Sequence, residues 1–146
     1  MTSPFRLHAS TEHQQFGIAV LRVITGIIFC AHGLQKFQMG IAGVTGLFAH
    51  MGIPMPGVTG PLVAGLELLG GIALILGLLT RLVALGFVAD MLGALLFVHI
   101  SRGLIGPGGY QLVLSLLAAS LALTLGGPGT LAVDAMIGNR TAPGGR

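Results

Sequence analysis

Few residues of this 146-residue chain can do chemistry, and those sit where a charge is costly. Arg22, Glu67 and Asp90 lie inside long apolar runs, and His32, Lys36 and His99 lie toward the ends of such runs. A charge near the middle of a bilayer costs on the order of 2.5–3.5 kcal/mol even on the lenient insertion scale, so ionisable residues there are read first as functional. Glu67 and His32 are the candidates for catalytic proton handling, because a carboxyl beside an imidazole makes a proton relay. Arg22, His32, Lys36, Glu67 and Asp90 are the candidates for binding a ligand.

Depth and rotation sort these residues. A rise of 1.5 Å per residue puts Arg22 about 9 Å and Asp90 about 12 Å from the inner surface. The same count puts Glu67 at about 20 Å, His32 at about 24 Å and His99 at about 26 Å, with Lys36 near the outer boundary. Two layers result: Arg22 with Asp90, and Glu67 with His32 and Lys36. In the inner layer an Arg22–Asp90 ion pair that fixes helix register and an Arg22 that stretches to Glu67 both stand as readings. At about 100° per residue, Arg22, Gly26, Phe29, Gly33 and Lys36 share one helix face, with His32 beside Lys36. Asp90 and His99 are nine residues apart and point in nearly opposite directions on a straight helix, which makes His99 a weak member of any site.

Metal and thiol chemistry find little support. A bis-His haem between His32 and His99 fails on the opposed direction of His99. His8, His13 and His50 are scattered without ligand spacing, so no metal site is expected. Cys30 is the single cysteine, which excludes an intrachain disulfide and any CxxC motif. There is no P-loop, GxSxG or HExxH motif.

The elements that must position these residues are membrane helices. Charged residues make up 8% of the chain against roughly 25% in soluble proteins, and 53% of it is apolar. The net charge of +3 is spread along the chain, which argues for an orientation signal and against a nucleic-acid partner. Four apolar windows, about 16–37, 61–79, 82–101 and 110–125, predict an all-α integral membrane four-helix bundle, the last window being marginal in length. Arg6, Arg81, Arg140 and Arg146 fall on one side, with Arg22 near its edge, against Lys36 and Arg102 on the other. That excess predicts both termini in the cytoplasm.

Residues 1–15 read as a polar N-terminal arm and 139–146 as a disordered tail. The apolar run after the arm exceeds a signal-peptide h-region and has no small-residue cleavage site after it, so it is expected to stay as a helix. In the 38–60 connector, Val44, Leu47, Phe48 and Met51 recur at helical spacing, which predicts a short surface helix before the Pro-rich GIPMP break. It covers the bundle mouth or forms a lid over a ligand cavity. The GGPGTLAVDAMIG run is expected to turn sharply at Gly126–Gly129 and to lie along the inner surface.

Taken together, these pieces resemble the DoxX family of small bacterial inner-membrane proteins. The matching pieces are Arg22 followed by HGLQKF (32–37), GIPMP (52–56), ELLGGIALILGLLTR (67–81), Asp90 and GPGTLAVD (127–134). The resemblance implies a multi-pass four-helix domain over 16–138 in the plasma membrane, with Arg22, Glu67 and Asp90 as its polar core and His32 and Lys36 as a helix-1 motif. It also implies a membrane subunit or anchor of an oxidoreductase system. The leading reading is a subunit that binds a quinone or other small apolar ligand or anchors an oxidoreductase partner. A quinone is the one possible cofactor and none is certain. The partners open to it in the bilayer are other membrane-associated subunits or a second copy of the chain in a homo-oligomer. A quinone needs an apolar slot with polar groups near its carbonyls, and Glu67, His32 and Arg22 are of the right type. The chain has no redox centre of its own, so electrons must come from a partner. Two other classes stay open: a proton-coupled transporter, and a scaffold subunit whose buried charges only fix helix packing.

Overall fold

The computed structural model describes residues 11–136, all helix and connecting turns. His8, the first ten residues of the expected polar arm and the tail over 139–146 lie outside the described residues. The rest of that arm, Thr11–Gln15, is helical and opens α1 (Thr11–Met39). A short α2 (Ile41–His50) follows after Gly40, whose φ of 80° makes the corner. Two long helices, α3 (Pro56–Leu76) and α4 (Thr80–Arg102), then form a hairpin, and α5 (Gln111–Gly126) closes the bundle.

Three of these helices, α1, α3 and α4, are long and apolar enough to cross a membrane, while α5 is apolar but only 16 residues long. Their outward faces carry Ile24, Ile27, Leu62, Leu69, Leu82 and Leu85, all exposed. A row of this kind suits lipid and not water.

Helix limits depart from the hydropathy windows for local reasons. The second window begins at about residue 61, but α3 begins at Pro56, where a first-turn proline loses no hydrogen bond, and Pro61 lies inside the helix. Met55 precedes it in the left-handed region. The α3–α4 turn is Gly77–Leu79 and not residues 80–81, the gap between the second and third windows. Gly77 has φ 71°, and Thr80 already belongs to α4.

In lipid no hydrophobic force draws helices together, so close packing must hold the bundle. Helix α1 packs on α3 and α5, and α4 packs on α5 and α3. Gly26 sits against the backbone of Gly71, and Gly33 against that of Glu67 and Leu68; a Cβ at either glycine would overlap those atoms. This is why the Arg22-to-Lys36 face of α1 carries small residues. Between these contacts Phe29 of α1 stacks flat on Phe87 of α4, with ring centroids 3.6 Å apart and planes 1° from parallel.

Two wide π-helical turns interrupt the long helices, Leu66–Gly70 in α3 and Leu95–His99 in α4. Turns of this kind are frequent at functional sites, because they free carbonyls and re-aim side chains. Glu67 lies on the first and His99 on the second.

Candidate functional site

Glu67 is buried, 4% exposed, on the wide turn of α3. Its Oε2 accepts a hydrogen bond from Lys36 Nζ of α1 at 2.5 Å. A helical side chain leans toward its helix N-terminus, which directs Lys36 down α1 past Gly33 to the level of Glu67. On the third side stands Asp90 of α4, its carboxyl within hydrogen-bonding reach of Glu67 and close enough to Lys36 to feel its charge. Two carboxyls and one ammonium thus meet from three helices. Asp90 Oδ2 is buried and has no donor among the described residues.

The cluster forms part of the wall of a cavity of about 550 Å³, well within the range of small-molecule pockets. Its other surfaces are mostly apolar. Leu47, Phe48 and Met51 come from α2 and the turn after it, and Pro54 from the GIPMP break. Leu66 and Phe97 close the α3 and α4 sides. The surface helix expected in the 38–60 connector is therefore a wall of this cavity.

The site residues expected from sequence fall into two groups. Lys36, Glu67 and Asp90 come together; Arg22 and His32 do not line the cavity. Neither inner-layer pairing of Arg22 is present. Arg22, 1% exposed, donates from Nη1 to the Pro128 carbonyl at 2.7 Å and from Nη2 to the Leu131 carbonyl at 3.0 Å. It clamps the segment after α5, which carries positive φ at Gly127, Gly129 and Leu131 and folds back under the bundle. The depth count misled because both helix ends differ from the windows. Glu67 is nine residues before Leu76 and Asp90 is ten after Thr80, so the two stand about 14 and 15 Å from the hairpin turn.

His99, read as turned away from Asp90, lines the same cavity. The wide turn Leu95–His99 winds less per residue than an α-helix and so shifts the phase of the end of α4. Its Nδ1–H donates to the Gly108 carbonyl at 2.7 Å. In the neutral ring that contact selects the Nδ1–H tautomer, with Nε2 as the acceptor. Cys30 Sγ is 3.5 Å from the Leu68 carbonyl in the first wide turn.

One residue outside the expected set has a defined polar role. Asp134 accepts hydrogen bonds from Leu79 N–H at Oδ1 and from Thr80 N–H at Oδ2, both at 2.9 Å. It caps α4 from 54 residues away. The only signal for it in the sequence is the GPGTLAVD run itself.

Comparison with known proteins places this architecture. The DoxX family model matches residues 17–100, which hold the whole Lys36–Glu67–Asp90 cluster. The chain belongs to the DoxX family. It is 37% identical over 123 residues to the "Putative oxidoreductase CatD" of Bacillus subtilis, covering 84% of this chain and 88% of that one. It is 30% identical to the uncharacterized membrane protein Rv3486 of Mycobacterium tuberculosis, over 88% of this chain and 86% of that one. It is also 31% identical to the inner membrane protein YqjF of Escherichia coli, over 87% and 96% of the two chains. No solved structure shows significant similarity. With its three membrane-length apolar helices, this DoxX protein is a multi-pass protein of the bacterial inner membrane.

Proposed function

We propose that this DoxX protein binds a small apolar molecule of the quinone class in the α2–α3–α4 cavity, as the membrane subunit of an oxidoreductase whose electron carrier lies in a partner. One observation carries the reading: a 550 Å³ apolar cavity has a Lys36–Glu67–Asp90 cluster in its wall. An apolar slot fits the ring and tail of a quinone, and the polar cluster fits its head. Glu67 and Asp90 are the groups to exchange protons with a head group, and Lys36 holds their charge in the membrane. The proton role first assigned to Glu67 with His32 passes to Glu67 with Asp90, since His32 stands outside the cavity lining. The name of CatD supports the oxidoreductase setting.

In this reading α5 makes a fourth crossing with some thinning or tilt, and both termini with the Arg22 clamp face the cytoplasm. The cavity then opens toward the outer half of the membrane.

Mass spectrometry of lipids extracted from protein purified in mild detergent tests the proposal. Quinone at near one per chain, strongly reduced in Glu67→Gln, is the expected result. Bulk phospholipid alone, together with substrate-dependent proton flux in liposomes that disappears in Glu67→Gln, would replace it with proton-coupled transport.

A further inference from the structure

The buried cluster does not balance its own charge. Lys36 brings one positive charge, and Glu67 and Asp90 together bring two negative ones when ionised. Lys36 spends its ammonium on Glu67 Oε2. Asp90 lies against Glu67, an acceptor facing an acceptor, and its buried Oδ2 finds no donor among the described residues. An ionised carboxylate without a donor inside a low-dielectric wall is strongly disfavoured. Two carboxyls held together in such a place settle with one proton between them.

We infer that Glu67 and Asp90 form a carboxyl pair that holds one exchangeable proton beside the cavity. The proton supplies the donor that Asp90 lacks and brings the three-residue cluster to zero net charge. The charged group against the pair is Lys36 from α1, and the other titratable group that lines the cavity is His99, at its α4 end. His99 lines the same cavity nine residues further along α4 and is held there by the Gly108 carbonyl. The cavity is therefore a proton-exchanging site, and its occupants are molecules whose head groups gain or lose a proton. This inference needs the cluster alone and stands apart from the identity of the ligand.

Infrared spectroscopy of the purified protein in nanodiscs at neutral pH, in H₂O and D₂O, tests it. The chain has only four acidic side chains, Glu12, Glu67, Asp90 and Asp134. Glu12 is exposed and Asp134 accepts two backbone N–H bonds, so a protonated carboxylic C=O band belongs to the pair. The wild-type protein is expected to show one deuterium-sensitive band equivalent to one carboxyl. Asp90→Asn and Glu67→Gln, which keep shape, each leave one carboxyl paired with Lys36 and are expected to lose it. Lys36→Met removes the positive charge and is expected to double the band. A wild-type spectrum without the band, or a band that persists in both single carboxyl variants, overturns the inference. A normal band pattern in a protein that binds no quinone overturns the ligand reading alone.

Discussion

Lys36 and Glu67, 31 residues apart in sequence, meet at 2.5 Å between α1 and α3 with only 19% and 5% of their side chains exposed. The pair is the joint at which close helix packing becomes a site. Gly33 brings the two helices together one turn below it, the wide turn of α3 aims Glu67, and α4 adds Asp90 from the other side.

Removing one partner should cost more than removing both. Lys36→Met leaves two carboxyls without a cation and is expected to lose about 3 kcal/mol, the lower part of the range for broken buried pairs because the carboxyls can take up protons. Lys36→Met combined with Glu67→Leu is expected to regain most of it. Thermal unfolding in a fixed detergent compares the two, and a double variant as unstable as the single would show that the pair itself holds the fold.

The helix approach at Gly33 should control the site. A Cβ there would overlap the backbone of Glu67 and Leu68. Gly33→Ala is expected to cost about 1–3 kcal/mol by overpacking and to weaken cavity binding by pushing Lys36 away from Glu67. Unchanged stability and binding would mean that α1 and α3 can separate freely.

At the other end of the bundle, Arg22 and Asp134 should act as one unit. Arg22→Met strands the Pro128 and Leu131 carbonyls, at about 1–3 kcal/mol for each buried group left unpaired. Asp134→Ala removes the α4 cap, at about 1 kcal/mol. Both hold the same returning segment, so the double variant is expected to lose less than the sum. Arg22→Lys is expected to rescue poorly, because one ammonium does not match the two-carbonyl fork. Limited proteolysis after Gly126 reports the loss directly, and ligand binding is expected to survive.

How much of this could be read in the sequence depends on whether a residue's partner is set by local rules. Rotation about one straight helix does follow such rules, so the Arg22–Gly26–Phe29–Gly33 face of α1 is buried as expected. The helical stretch around Val44 and Phe48 was legible for the same reason. Depth counting places Asp90 in the layer of Arg22 and not in that of Glu67, because an error of two or three residues at each side of the hairpin shifts relative depth by several ångströms. Straight-helix rotation turns His99 away from the cavity because a π turn adds residues without adding rotation in the usual ratio, and nothing in LLFVH announces one. Arg22 found carbonyls instead of carboxylates because its partners lie in an irregular segment more than a hundred residues away. No periodicity encodes that contact.

The most direct test of the central claim, that the α2–α3–α4 cavity is a quinone-class site, is photo-crosslinking with an azido-quinone followed by peptide mapping. The predicted result is labelling confined to Leu47–Pro54, Leu62–Leu66 and Ala94–Val98, competed by unlabelled quinone and lost in Asp90→Asn. Labelling spread over the outward faces at Val20, Ile27 and Leu85, and insensitive to competitor, would mean that the probe only dissolves in the surrounding lipid and would contradict the claim.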